Sequence, residues 1–179
     1  MANFTQGLIY DTFLSMLDRM SFDKITVTSL IKECNISRNT FYYHYEDIYD
    51  LLDDVLISLI KKYDQEAAKK DLKEVLKSML YDCRENGTKV YNIFNSISRD
   101  RLERYIFDET NSIISHRLMK IAKEKNVDPA RAQAITDIVR YSMYGFFMEF
   151  LWNGMKADIE ESVDKLIDIY NELLEKMFY

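Results

Sequence analysis

The sequence predicts an all-α protein, and three observations carry that prediction. Only four glycines and one proline occur in 179 residues, too little turn chemistry for a strand-rich fold. Apolar residues recur at the helical period over most of the chain. Capping residues stand where those periodic runs begin. Hydrophobic residues make up 47% and charged residues 30%, the balance of a globular rather than a disordered chain. A chain of this length holds one or two domains.

Phe4, Leu8, Ile9, Phe13, Met16, Leu17 and Met20 set a first amphipathic helix over residues 4–20. After the connector SFDKI, Thr26 caps a second helix of about eight residues, with Val27, Leu30, Ile31 and Cys34 as its apolar stripe. Asn35 suits the left-handed residue that ends a helix, and Ser37 is a good N-cap for a third of about seven residues. Asp47 caps a fourth, in which Ile48, Leu51, Leu52, Val55, Leu56, Leu59, Ile60 and Tyr63 keep the period until the polar run 64–71. No glycine or proline interrupts this stretch, so a three-helix head, residues 1–46, runs directly into a helical body, residues 47–179.

In the body a fifth helix covers residues 72–86, with Gly87 as its expected C-cap. A short helix is expected over 88–97 and a long or broken one over 99–125. Asp128 followed by Pro129 is an N-cap and first-turn signature, and that helix runs to about Asn153, where Gly154 stops it. The last helix, 158–178, carries Ile159, Val163, Leu166, Ile167, Tyr170, Leu173, Leu174 and Met177 on one face and charge on the other.

Residues 135–152 are apolar almost all round. Ile135, Ile138, Val139, Ser142, Met143, Phe146, Phe147, Phe150 and Leu151 make one stripe, and Tyr141, Gly145, Met148 and Trp152 a second. A helix apolar on two faces must be buried on both. It is either a central helix of a monomer or has one face on its own core and the other on a second subunit.

Several function classes are disfavoured. The net charge of −6 argues against nonspecific polyanion binding by the whole surface. Cys34 and Cys83 lack a CxxC partner, and His44 and His116 lack a second ligand at finger or helical spacing, so neither metal nor cofactor is expected. No phosphate-binding glycine loop, nucleophile elbow or paired carboxylate beside a histidine is present, so an enzyme is not expected. No run approaches the roughly 18 uncharged apolar residues of a membrane span, and no basic region precedes an apolar run at the N-terminus. The expected location is the cytoplasm.

One stretch resists a packing account. NISRNTFYYHY, residues 35–45, sets five rings at consecutive positions 41–45. On a short helix Phe41 and Tyr45, four apart, pack inward, while Tyr42, Tyr43 and His44 project outward. Two short helices joined by a tight turn are the elements of a helix-turn-helix. The residues go further: ITVTSLIKECNISRNTFYYHYEDIYDLL resembles the N-terminal DNA-binding segment of the TetR family of bacterial transcription regulators. The positions carrying the likeness are Thr26, Val27, Leu30, Ile36, Ser37, Arg38, Asn39, Thr40, Phe41, Tyr42, Tyr43, His44 and Tyr45. TFYYHYEDIYDLL is further similar to a subgroup that includes activators of dihydroxyacetone kinase operons.

The resemblance implies a role for each outward residue. Arg38, Asn39 and Thr40 would face base edges, Tyr43 the groove, and Tyr42 and His44 the phosphates, with Thr26 and Thr28 completing the DNA-binding set. The chemistry fits, since tyrosine hydroxyls donate to phosphate and Arg or Asn can bind guanine or adenine bidentately. Where the family often has a lysine at the start of helix four, this chain has Glu46, Asp47 and Ile48. Residues 1–50 hold four basic and seven acidic side chains, which leaves open a protein-interaction module without tight DNA binding.

The resemblance also implies a homodimer built from the last two helices of each subunit, with Phe146, Phe147, Phe150, Leu166, Tyr170 and Leu173 at the interface. Its DNA would be a near-palindromic duplex operator, and its control would come from a small-molecule or protein effector. Met79, Tyr91, Phe94, Phe107, Tyr144, Met148 and Glu149 are candidate effector-pocket residues, because Met adapts its shape and Tyr offers a hydroxyl. The same residues suit a core. Glu149, an acid within FFMEFLW, is either an exposed edge or a polar group facing a cavity.

Overall fold

The computed structural model describes residues 2–67, 71–96 and 99–177. They form a 3₁₀ turn, Phe22–Lys24, and nine α-helices. These are α1 (Ala2–Leu17), α2 (Val27–Cys34), α3 (Arg38–His44), α4 (Ile48–Ala67), α5 (Leu72–Glu85), α6 (Gly87–Phe94), α7 (Arg99–Glu124), α8 (Pro129–Trp152) and α9 (Ile159–Met177). No strand occurs among the described residues. The chain divides into two compact units, Met1–Gln65 with Asn86–Leu102, and Glu66–Glu85 with Glu103–Tyr179.

The caps explain where helices begin. The Thr26 and Ser29 side chains each accept the other's backbone N–H, at 3.1 and 3.0 Å, a reciprocal capping box on α2. Asp128 Oδ1 accepts from the Arg131 amide at 2.9 Å to start α8, and Asp158 Oδ1 accepts from Glu161 at 3.0 Å to start α9. Helix ends use left-handed residues. Asn35 (φ 53°), Asn126 (φ 54°) and Gly154 (φ 65°) each turn the chain after α2, α7 and α8. Gly87 departs from expectation: it opens α6, and Asn86 (φ −94°) makes the junction without any left-handed residue.

In the first unit, Ile9, Phe13 and Leu17 of α1 are buried with Phe22, Leu30, Phe41, Leu51 and Leu52. Phe22 stands edge-on to Phe13 at 6.1 Å and to Tyr49 at 5.3 Å, a favourable ring geometry. The Asn92 amide of α6 donates to the Leu17 carbonyl at 2.8 Å, satisfying an orphan acceptor at the end of α1. Phe4, Leu8 and Leu59, expected in apolar stripes, are exposed. Ile60, Met177 and the polar run at 68–70 lie outside the residues whose side chains are described, as do 97, 98 and 178.

In the second unit, α8 buries Ile135, Val139, Met143, Phe150 and Leu151, and α9 buries Ile159, Val163, Ile167 and Tyr170. The Tyr170 hydroxyl donates to the Val139 carbonyl at 3.3 Å. Helix α5 lies along α9 through ion pairs of Lys77 with Glu160 and Asp164, both 2.5 Å, and of Lys73 with Asp164 at 3.2 Å. Cys34 and Cys83 are free thiols, and burial pushes the Cys83 thiol up to about 12, the signature of packing rather than reactive sulfur.

Candidate nucleic-acid interface

The turn between α2 and α3 is held by the Ile36 amide, which donates to the Ile31 carbonyl at 3.1 Å across left-handed Asn35. Ser37 then caps α3, its Oγ accepting from the Thr40 amide at 3.1 Å. Phe41 is fully buried and Tyr45 almost so, and the Tyr45 hydroxyl donates to Asp54 of α4 at 2.8 Å. Burial, chiefly, pushes that phenol above its ordinary range. These two anchors, four residues apart, fix which face of α3 is left outward.

That outward face carries Asn39 and Tyr43, also four apart, flanked by Tyr42. Tyr43 is 76% exposed and Tyr42 48%. The Arg38 guanidinium lies 5.8 Å from the Tyr42 ring centre, and half-exposed His44 meets Tyr43 edge-on at 5.0 Å. Rings that cost free energy to leave in water thus stand outward beside hydrogen-bonding groups, on a helix anchored from behind. Thr28 is exposed on α2. Two candidates are engaged locally: the Thr26 hydroxyl belongs to the α2 capping box, and the Thr40 hydroxyl lies 2.7 Å from Ser37 Oγ.

Charge elsewhere in the first unit is paired in ways that the local sequence does not reveal. Arg19 pairs with Glu33, and Lys89 of α6 pairs with Asp18 at 2.9 Å. Lys89 is 71 residues along the chain from Asp18, so only the fold brings its charge to the head. At the start of α4, Asp47 Oδ1 accepts from the Tyr49 and Asp50 amides at 2.7 and 2.9 Å. A carboxylate therefore fills the helix N-terminus that could otherwise receive a phosphate.

The candidate pocket residues are divided between the two units. Tyr91, 60% exposed, and buried Phe94 belong to α6 and the first unit, whereas Phe107, Tyr144, Met148 and Glu149 belong to the second. Met148 is fully buried and Met79 is half-buried. Glu149 is exposed and lines a cleft with Leu80, Phe146, Phe150 and Ile159. That cleft measures about 160 Å³, close to the roughly 150 Å³ that holds one benzene and well below the ~300 Å³ and more of drug-sized sites. Elsewhere in this unit Phe107 stacks on Tyr141 at 6.0 Å and meets Tyr144 edge-on at 5.3 Å. Sequence patterning had not singled out the neighbouring Arg140.

Of the candidate interface residues, Phe150 and Tyr170 are buried in their own unit, Phe146, Phe147 and Leu166 are half-buried, and Leu173 is exposed. The apolar groups left outward on α8 and α9 are instead Ile138, Tyr141, Trp152 and Ile169 with Leu173. Ile138 belongs to the same predicted stripe as Phe146, Phe147 and Phe150. Among the described residues, no group of three or more His, Cys, Asp or Glu side chains is placed to hold a metal ion, and no helix is long and apolar enough to cross a membrane.

An all-α chain in which a capped helix, a left-handed turn and an outward-facing second helix follow one another has the fold of a helix-turn-helix regulator. It belongs to the TetR family of transcriptional regulators: the TetR family model described as transcriptional regulator C-terminal region matches residues 70–172, more than half of the chain. Two solved structures share the fold. The dihydroxyacetone kinase operon activator DhaS is 16% identical, with a TM-score of 0.72 over 96% of this chain and 96% of its own. A TetR transcriptional regulator from Streptococcus agalactiae 2603V is 20% identical, with a TM-score of 0.65 over 97% of this chain and 94% of its own. No curated protein sequence matches.

Proposed function

We propose that the protein is a cytoplasmic, homodimeric, sequence-specific DNA-binding regulator, not an enzyme, in which α3 enters the major groove and an effector controls binding. The observation that carries this reading is the outward set Asn39, Tyr42 and Tyr43 on a helix anchored by buried Phe41 and Tyr45. Arg38 and Asn39 read base edges, and Tyr42 and His44 hold phosphates. Tyr43 lies against the groove, and Thr28 contacts the backbone from α2. Thr26 and Thr40, whose hydroxyls are engaged in caps, act chiefly by fixing the two helices.

The outward apolar residues of α8 and α9 support the homodimer, since a second copy would cover them. A two-fold dimer presents two α3 helices, so the operator is near-palindromic with half-sites about one helical turn apart or slightly more. Likeness to an operon activator makes activation as well founded as repression, with a protein as well founded an effector as a small molecule. The modest cleft beside Glu149 favours the protein. Fluorescence anisotropy with duplex DNA from upstream of the protein's own gene tests the reading. Wild-type protein should bind at low salt, and Asn39→Ala and Tyr43→Ala should abolish binding without changing the melting temperature. Absence of binding at low salt, with or without effector, would instead favour the interaction module to which the acidic head points.

A further inference from the structure

Helix α8 carries two buried polar groups for which neither core packing nor DNA reading has a use. The Arg140 side chain is only 14% exposed. Its guanidinium lies 4.9 Å from the ring centre of Phe107 and 4.8 Å from that of Tyr141, contacts that use its π-face rather than its N–H donors. Among the described residues its charge partner is Asp137, 3.4 Å away on the same helix, which also receives the Gln133 amide at 3.2 Å. The buried Arg140 Nε has no acceptor among the described residues. One turn earlier Thr136 is 1% exposed, and its hydroxyl likewise has no partner among the described residues. Four residues apart, the two share a face of α8.

Buried donors without acceptors cost folding free energy and call for a specific explanation. A guanidinium is a planar fork of donors matched to carboxylate and phosphate. With rings against its face, the fork keeps its edge for such a group, and a hydroxyl one turn away adds a further donor. We propose that Arg140 and Thr136 form a receptor for the carboxylate or phosphate group of a small molecule bound between α7 and α8, with Phe107 and Tyr144 as its aromatic wall. The anion takes over the loosely held contact with Asp137. Binding is independent of DNA recognition, and only the further step, that the bound anion is the effector, rests on the regulator reading.

Thermal melts of the full-length protein in inorganic phosphate, in acetate and in chloride at equal ionic strength test the receptor. Phosphate or acetate should raise the melting temperature saturably by about 2 to 4 °C over chloride, and whichever does so identifies the group. Arg140→Gln should abolish the shift, and Arg140→Lys, which keeps the charge but not the fork, should lose most of it. Thr136→Val should raise the melting temperature of the anion-free protein by removing an unpartnered hydroxyl, and should reduce the shift. Asn39→Ala, defective in DNA binding, should keep the full shift, and Arg140→Gln should still bind DNA without added anion. The receptor is overturned if neither anion exceeds chloride, if the variants at Arg140 shift as wild type does, or if Thr136→Val lowers the anion-free melting temperature. Should Arg140→Gln fail to fold, Arg140→Lys and Thr136→Val decide the matter.

Discussion

Helices α3 and α8 both hold aromatic side chains in water, and they do so differently. Helix α3 is seven residues long; its outward rings are phenols and an imidazole, with Arg38 and Asn39 beside them. Helix α8 has 24 residues, and its outward Tyr141 and Trp152 stand with Ile138 and Gly145. The neighbours decide what each face suits. Hydroxyls and a guanidinium keep their value against a hydrated polyanion, where contacts are hydrogen bonds and charge. Aliphatic neighbours offer nothing to phosphate and gain only when water leaves, which favours a second protein surface.

The difference predicts that the two sides of α3 respond oppositely to truncation, the largest effect expected. Phe41→Ala opens a cavity behind the helix and should lower stability by about 3 to 5 kcal/mol in urea denaturation. Tyr43→Ala, two positions on, should change it by less than about 0.5 kcal/mol while removing DNA binding. Equal stability losses from both would mean that Tyr43 packs after all, and the outward assignment would be wrong.

On α8 and α9 the comparison predicts a change of assembly. Ile138→Glu with Leu173→Glu places charge in what should be a dry contact between copies, and sedimentation at micromolar concentration should give a monomer whose helical circular dichroism is retained. A wild-type protein that already sediments as a monomer would end the two-copy account of this face. Phe150→Glu is no test of it, because Phe150 is buried in its own unit and the variant would unfold instead.

These examples mark how far the sequence was legible. Thr26, Ser37, Asp47 and Asp128 announce helix starts because capping is a local hydrogen bond between residues a few positions apart. The outward trio on α3 is legible for the same reason, since two apolar anchors on a short helix leave a single alternative face. On α8 the logic fails. A helix apolar all round has no polar stripe to orient it, so the sequence does not say which stripe faces the core: Met148 of one stripe is buried while Ile138 of the other is exposed. Charge pairing across the fold is equally hidden: nothing near Asp18 foretells Lys89, and nothing local shows that Arg140 Nε would be buried without an acceptor among the described residues.

A smaller effect distinguishes direct from positional contacts on α3. Arg38→Ala should weaken operator binding by about 1 to 3 kcal/mol and relax preference at one base pair in each half-site. Tyr42→Phe, which keeps the ring against Arg38 and removes only the hydroxyl, should weaken all sequences alike. With few basic residues on the face, the log-log salt dependence should also be shallow. Loss of sequence preference in Tyr42→Phe, with preference kept in Arg38→Ala, would exchange the two roles.

The smallest effect concerns the second unit, where ion pairs cross from α5 to α9 beside buried Val75, Leu80, Val163 and Ile167. The Lys77 ammonium holds the Glu160 and Asp164 carboxyls below the usual carboxylate range, helped by the Tyr81 hydroxyl at Glu160 and by Lys73 at Asp164. The same pairs raise Lys77 above its ordinary value. A carboxyl whose folded value is depressed lends stability that is present above its unfolded value, about 4, and is lost as pH falls through the lower folded one. The carboxylates are exposed to solvent, so salt screens the gain. Melting curves of wild type and Lys77→Met should therefore differ slightly at neutral pH in low salt, draw together as pH falls below about 4, and also draw together in molar salt. If the two stay parallel through the acid range, the pairing of α5 with α9 owes its strength to Val75, Leu80, Val163 and Ile167, and the charges only decorate it.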